Sequence, residues 1–342
     1  MLRALARAVI GLVVLAILIG GGVAYFLHLY RAPGPLQAPV TLVIDRGRGL
    51  TAITTQLEEN GVIANRWIML AGVVLDGGDR NFKAGEYAFP AGISPAAAAD
   101  LLARGGNVTH KITVPEGLTS ADIVAMVAAE PLLTGDAGDV PPEGSLLPET
   151  YQFSRGDGRA AVLDRMRRAM QQEIDRLWPK RANGLFVRTP AEAVTLASIV
   201  EKETGVPAER PVVASVFLNR LQAGMPLQAD PTVIYALTQG KKPLGRALTR
   251  ADWKLDSPYN TYLVQGLPPG PIANPGRDSL AAVLNPAITG YYYFVADGSG
   301  GHVFARTLDE HNRNVADWQK RQRASQPNSD DTAPETGDNV ER

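Results

Sequence analysis

The stretch Ser198-Ile199-Val200-Glu201-Lys202-Glu203-Thr204 ends an apolar helical run with carboxylates where core residues are expected. Ala193, Leu196, Ile199 and Val200 recur at helical spacing, and Glu203 falls three and seven residues after Val200 and Leu196, on the same stripe. Glu203 therefore faces the apolar side. Desolvation there disfavours the charged form and raises the carboxyl pKa toward the range a general acid needs near neutral pH. Glu201 lies about 200° away around a helix of 3.6 residues per turn, so the two cannot share one position. Glu203 is the first candidate for a catalytic group and Glu201 the alternative. The plain reading of Glu-Lys-Glu is a solvated helix end, so the rest of the chain decides the weighing.

From Ala8 to Leu27 the chain carries no charged residue, long enough to span a bilayer and long for a cleaved signal sequence. The expectation is an uncleaved anchor at 8–28 behind a short cytoplasmic tail, 1–7. Arg3 and Arg7 precede the span and Arg31 follows it, a modest positive-inside signal that places the bulk of the chain outside. Net charge is −1 with no basic stripe, which argues against a nucleic-acid partner. Cysteine is absent, which excludes a disulfide framework, a thiol nucleophile and a thiolate metal site. His28, His110, His302 and His311 show no metal-binding spacing, so neither a metal nor another cofactor is expected. No Gly-x-Ser-x-Gly elbow marks a serine hydrolase.

The fold class expected is α+β. A Pro-rich linker, 29–39, should hold the next domain off the membrane in extended form. Residues 40–107 then read as a small module: strand 40–44, helices 50–60 and 65–74, an alternating strand at 82–89 and a helix at 94–103. A related pattern begins at His110, with Ser120 as the expected helix cap, in a connecting α+β subdomain at 108–155. Leu147-Pro148-Glu149-Thr150 lacks the following glycine of a sortase signal. The segment 156–323 reads as mainly helical, with a helix at 160–178, proline-started helices at Pro190 and Pro211, and Asp230-Pro231 as a cap followed by proline. Two strands, 291–296 and 302–305, form a short hairpin, and Thr307 with Glu310 forms a capping box for a closing helix to about Arg321. The acidic tail 324–342 reads as disordered.

Two loops carry unusual content: Leu227-Gln228-Ala229-Asp230-Pro231-Thr232, and Ser257-Pro258-Tyr259-Asn260-Thr261-Tyr262, which leads to Gly266-Leu267-Pro268-Pro269-Gly270. Amides and aromatic faces suit a groove for a neutral sugar polymer, because sugar rings offer hydroxyls to Gln and Asn and apolar C–H faces to Tyr. The candidates are Gln228, Asp230, Tyr259, Asn260 and Tyr262, although Asp230 reads equally as a helix cap and Tyr262 as a core aromatic.

Together with Leu196 to Thr204, Val213-Ala214-Ser215-Val216-Phe217-Leu218-Asn219-Arg220-Leu221 and Tyr293-Phe294-Val295-Ala296-Asp297-Gly298, these motifs resemble the endolytic murein transglycosylase family, MltG or YceG-like. The resemblance implies a single-pass inner-membrane protein with a LysM-like N-terminal module and a periplasmic catalytic domain that cuts peptidoglycan glycan strands internally. It also implies that the second glutamate of the Glu-Lys-Glu run, Glu203, is catalytic, with peptidoglycan synthases as partners. The reaction implied is cleavage of the MurNAc–GlcNAc β-1,4 bond to give a 1,6-anhydroMurNAc end, one Glu serving as acid and then base. The rival readings are a non-catalytic peptidoglycan-binding tether and a muramidase-type hydrolase that uses a second carboxylate, for which Asp230 is the nominee.

Overall fold

The computed structural model describes residues 2–77 and 81–325. The chain is α+β, with eleven α-helices and six strands among the described residues, and the strands pair two by two. It divides into two compact units.

The first unit comprises residues up to 112 with 131–134 and 152–158. It opens with helix α1, Leu2–Arg31, and continues through β1 (Val40–Ile44), α2 (Leu50–Glu59), α3 (Arg66–Leu75), β2 (Gly85–Phe89) and α4 (Pro95–Arg104) to β3 (His110–Thr113). Strands β1 and β2 are antiparallel, Val40 opposite Phe89 and Leu42 opposite Tyr87. Alternation turns Leu42, Ile44, Tyr87 and Phe89 to one face, where Ile53 and Leu57 of α2, Met69 and Val73 of α3 and Leu102 of α4 close over them. The caps are local: Asn65 accepts from the N–H groups of Trp67 and Ile68, and Ser94 from Ala97.

α1 is long and apolar enough to cross a membrane. It runs three residues into the expected linker, and the remainder of 29–39 is not a free spacer. The Gly34 N–H donates to Ile93 O (3.1 Å), the Gly92 N–H donates to Leu36 O (2.8 Å), and Leu36 packs on the module core. Tyr30 is buried against Gly72 and donates to Asp76 Oδ2 at 3.2 Å. A Pro-rich segment can be ordered in this way because its backbone N–H and C=O groups find partners on a neighbouring turn.

The second unit comprises 113–130, 135–151 and 159 onward, so residues of the expected 108–155 segment fall in both units. It contains α5 (Ser120–Ala129), β4 (Thr150–Phe153), α6 (Arg159–Leu177), α7 (Pro190–Glu203), α8 (Arg210–Gln222), α9 (Asp230–Thr238), α10 (Arg277–Leu284), β5 (Tyr293–Ala296), β6 (His302–Ala305) and α11 (Leu308–Ser325). β3 pairs with β4, and the division between units falls within both strands. α7 lies at the centre, packed by α8, α9 and α10. Residues 193–200 are all buried, so the helix is enclosed on every side rather than along one stripe. Thr189 caps it through the Glu192 N–H, with Pro190 in the first turn.

Two expected caps differ. Thr119, not Ser120, caps α5, in a reciprocal capping box with Asp122. Asp230 is the first residue of α9, and the cap position, Ala229, has no polar side-chain atom to accept a hydrogen bond. The Thr307–Glu310 box is present in both directions (3.3 and 3.2 Å), and α11 runs on to Ser325. Within the expected tail, 326–342 lie outside the described residues.

Candidate active site

Glu203 is the last residue of α7, and Thr204 ends the helix in extended backbone. The turn beyond is tied down. Thr204 Oγ1 accepts from the Val206 N–H (3.1 Å) and donates to Glu209 Oε2 (3.2 Å), and the Glu209 carboxylate takes both the N–H (2.8 Å) and Nδ1 (2.7 Å) of His302. The His302 ring stands edge-on to Phe294, 5.2 Å between centroids. Thus the residue after Glu203 is anchored to the hairpin that supplies one wall of its pocket.

That pocket is a cavity of about 370 Å³ lined by Glu203, Phe217, Arg220, Gln228, Asp230, Tyr262, Phe294 and His311, among others. Glu203 itself is half-buried. Burial first, and then the nearby carboxylate of Asp230, pushes its pKa up to about 8, against the opposing pull of the Arg220 guanidinium. A carboxyl group in this position is protonated at neutral pH and stays close to its titration point.

Asp230 is exposed on the pocket rim, held by helix geometry at the first turn of α9. Its Oδ1 accepts from Tyr262 Oη at 2.6 Å and from Trp253 Nε1 at 2.9 Å. The Trp253 and Tyr262 rings lie 5.9 Å apart, so an acid and two aromatic faces form one rigid edge. Burial, and then the bond to Asp230, raises the Tyr262 pKa, which keeps its hydroxyl a donor. Gln228 adopts a left-handed backbone, φ 53°, uncommon for a residue that is not glycine. Its N–H donates to Thr261 O at 3.0 Å, and its Oε1 accepts from Arg220 Nη1 at 3.2 Å. Such strain persists only where neighbours over-determine it, and it concentrates at functional sites.

The structure therefore brings Glu203, Gln228, Asp230 and Tyr262 to one cavity. Tyr259 and Asn260 are not in its lining. Asn260 is fully buried; its Nδ2 donates to Trp253 O and Leu255 O, and its Oδ1 accepts from the Tyr262 N–H. Its amide is consumed in shaping the loop that presents Tyr262 and Trp253. The Tyr259 ring packs against Tyr235, 4.9 Å between centroids, on the main core.

Glu201 sits in a different setting. Its Oε1 accepts from Arg210 Nη2 (3.2 Å) and its Oε2 from the Gly276 N–H (2.9 Å), with the side chain only 5 % exposed. Arg210 also pairs with Glu116 and Asp278. A Cβ at Gly276 would stand 1.8 Å from Glu116 Oε1, so a larger residue there would displace the Glu116 side chain. Ser198 fixes the same Pro-rich loop by accepting the Ile272 N–H at 3.0 Å.

Sequence reasoning did not nominate Arg220, Phe217, Phe294, Trp253 or His311. Arg220 is nearly buried, and its guanidinium donates to Tyr292 O, Pro226 O and Leu227 O as well as to Gln228. A signal existed, since an arginine falls among the apolar residues of Val213 to Leu221. His311 stacks on Tyr293, burial and the Arg220 charge hold its pKa below the ordinary value, and its Nδ1 has no hydrogen-bond partner among the described residues. No local pattern marked His311, which reaches the pocket only through the fold.

A model of the YceG-like family matches residues 42–317. A Bacillus subtilis (strain 168) protein named endolytic murein transglycosylase is 33 % identical over 331 residues, covering 87 % of this chain and 90 % of that protein. A Streptococcus pneumoniae serotype 2 protein of the same name is 29 % identical over 359 residues, covering 90 % of this chain and 64 % of its own length. The crystal structure of a yceG-like protein from Listeria monocytogenes is 32 % identical, with a TM-score of 0.51 over 81 % of this chain and 99 % of that one.

Proposed function

The chain belongs to the YceG-like family, and from that premise we propose that it is a lytic transglycosylase that cuts peptidoglycan glycan strands internally, with Glu203 as its single acid–base group. The observation that carries this reading is the half-buried Glu203 carboxyl, pushed up to about 8, in a cavity walled by Phe217, Phe294 and Tyr262.

In the proposed mechanism, protonated Glu203 donates to the glycosidic oxygen between MurNAc and GlcNAc. The C1–O bond breaks, the leaving sugar departs with its hydroxyl, and positive charge develops on the MurNAc ring. Glu203, now a carboxylate, takes the proton of the MurNAc C6 hydroxyl as O6 closes on C1. The 1,6-anhydro ring forms, and the proton is back on Glu203. A pKa near neutrality suits a group that must give and then take a proton. Aromatic walls offer the sugar C–H faces, Asp230 and Gln228 hold its polar groups, and Asn260 positions Tyr262. The accompanying proposals are an anchor at 8–28 with the catalytic unit in the periplasm, the β1–α2–α3–β2 module as the LysM-like part, and synthases of new strands as partners.

A second reading is favoured by one observation: Asp230 lines the same cavity as Glu203. A water activated by Asp230 would make the protein a muramidase-type hydrolase. The test is mass spectrometry of products from purified peptidoglycan, wild type beside Glu203→Gln. Ends in 1,6-anhydroMurNAc that vanish in the variant support the transglycosylase. Reducing MurNAc ends support the hydrolase, and intact strands with the wild type support a tether.

A further inference from the structure

Helix α3 is apolar on both sides. Met69, Gly72 and Val73 face the module core, yet Trp67, Val74 and Leu75 are 62 %, 64 % and 72 % exposed. With exposed Ala71 they recur at positions i, i+4, i+7 and i+8, a continuous outward stripe. Single exposed apolar residues are ordinary, but a contiguous stripe holding a Trp marks an interaction surface.

Its position identifies the occupant. The last turn of α1 is seated on α3: Tyr30 is 3 % exposed, a Cβ at Gly72 would stand 2.3 Å from its ring, and its hydroxyl reaches Asp76. Tyr30 lies three residues past Leu27, where the uncharged run ends, which is about 4.5 Å along a helix at 1.5 Å per residue. The headgroup zone on each side of the hydrocarbon is about 5–7 Å deep. The end of α3 is thus held at the level where the bilayer meets water, where Trp is enriched and where amphipathic helices bury an apolar face. Arg31 ends α1 beside Tyr30 and supplies a cation there, and Arg66, paired with Glu58, lies 5.0 Å over the Trp67 ring at the start of the stripe.

We propose that the outward stripe of α3, Trp67, Ala71, Val74 and Leu75, lies in the lipid interface beside α1 and fixes the first unit against the membrane surface. This rests on the anchor reading of α1 but not on the catalytic one. The unit is then moored at two points rather than swinging on a spacer, in agreement with the pinned 32–36 segment.

The chain has no cysteine, so single nitroxide labels can be placed without background. Full-length protein reconstituted in liposomes of phosphatidylethanolamine and phosphatidylglycerol would carry the label at Leu75→Cys, at Leu15→Cys within α1, or at Glu59→Cys, exposed on α2. Collision rates with oxygen, which partitions into lipid, and with a water-soluble nickel chelate report the surroundings. The result expected is an oxygen-to-nickel ratio at Leu75 severalfold above that at Glu59 and close to that at Leu15. A Leu75 ratio matching Glu59 overturns the proposal. Shielding of Leu75 from both reagents also overturns it, in favour of a protein partner or a second copy. A water-like Leu15 would sink the anchor reading itself, and the proposal with it.

Discussion

Two carboxylates stand two residues apart at the end of α7, and their surroundings are opposite. Around Glu201 the fold has gathered a guanidinium and a backbone N–H, both within hydrogen-bond reach. Around Glu203 it has gathered phenylalanines, a tyrosine and a second carboxylate, and the nearby guanidinium is occupied by backbone carbonyls and Gln228. The same residue type is in one case a joint between loop and helix and in the other a group kept close to its proton. The lesson is that burial alone does not make a carboxyl an acid; what matters is whether the partners that stabilise its charge are supplied or withheld.

Substitution at Glu203 separates the two carboxylates most directly. Glu203→Gln keeps the shape and removes the titrating proton, so cleavage should fall by roughly 10³-fold, within the range general acid–base catalysis contributes, while glycan binding in a pull-down persists. If Glu201→Gln produced the same loss with Glu203→Gln still active, the two roles would have to be exchanged.

Asp230→Asn tests why Glu203 holds its proton. Removing the charge that raises the Glu203 pKa should move the alkaline limb of the kcat/KM profile to lower pH, since the acid form is lost sooner. An unmoved limb together with full activity would mean that Asp230 neither tunes Glu203 nor activates water.

Stability gives an independent check on the same proton. The folded pKa of Glu203 lies near 8, above the ordinary 4.5, so between those values the folded state binds more protons than the unfolded one. Its contribution is therefore greatest below about 4.5 and is lost as pH rises through about 8. Urea unfolding from pH 5 to 9 should show a downward slope in the wild type that flattens in Glu203→Gln.

Smaller effects are expected around Glu201. Glu201→Gln should cost about 2 kcal/mol of stability, the size of a lost charge-assisted hydrogen bond, with cleavage per folded molecule little changed. Gly276→Ala should cost no more than about 1 kcal/mol, because the partly exposed Glu116 swings aside from Arg210 into solvent. Both are read from denaturation midpoints. Tyr262→Phe removes one bond to Asp230 and should cost about 1 kcal/mol in kcat/KM, roughly fivefold.

Much of this was legible along the chain. The helix to Glu203, the proline starts of α7 and α8, the capping box before α11 and the short hairpin follow from periodicity and local hydrogen-bonding chemistry, which act over a few residues. What was missed has a common cause. α10 is eight residues long and follows a Pro-rich loop, too short to show its period, and its helical state depends on packing against α7 and α8. The 29–39 segment reads as a spacer because proline-rich composition favours extension, whereas contacts with the Pro90–Ile93 turn order it. Asn260 reads as a sugar-binding amide, but its partners are carbonyls of its own loop, and a side chain's choice between ligand and neighbour is a matter of which is closer.

The sequence by itself determined, through spacing along the chain, that Glu203 stands at the end of an apolar helical run. But α7 is buried all round from Ala193 to Val200, so spacing alone does not separate the surroundings of Glu203 from those of Glu201. Only the tertiary structure decided that Arg220, Asp230, Phe294 and His311 would surround Glu203 while Arg210 and Gly276 went to Glu201. Those residues come from α8, α9, the hairpin and α11, and what they do to a proton falls off over a few ångströms, a distance that only packing sets.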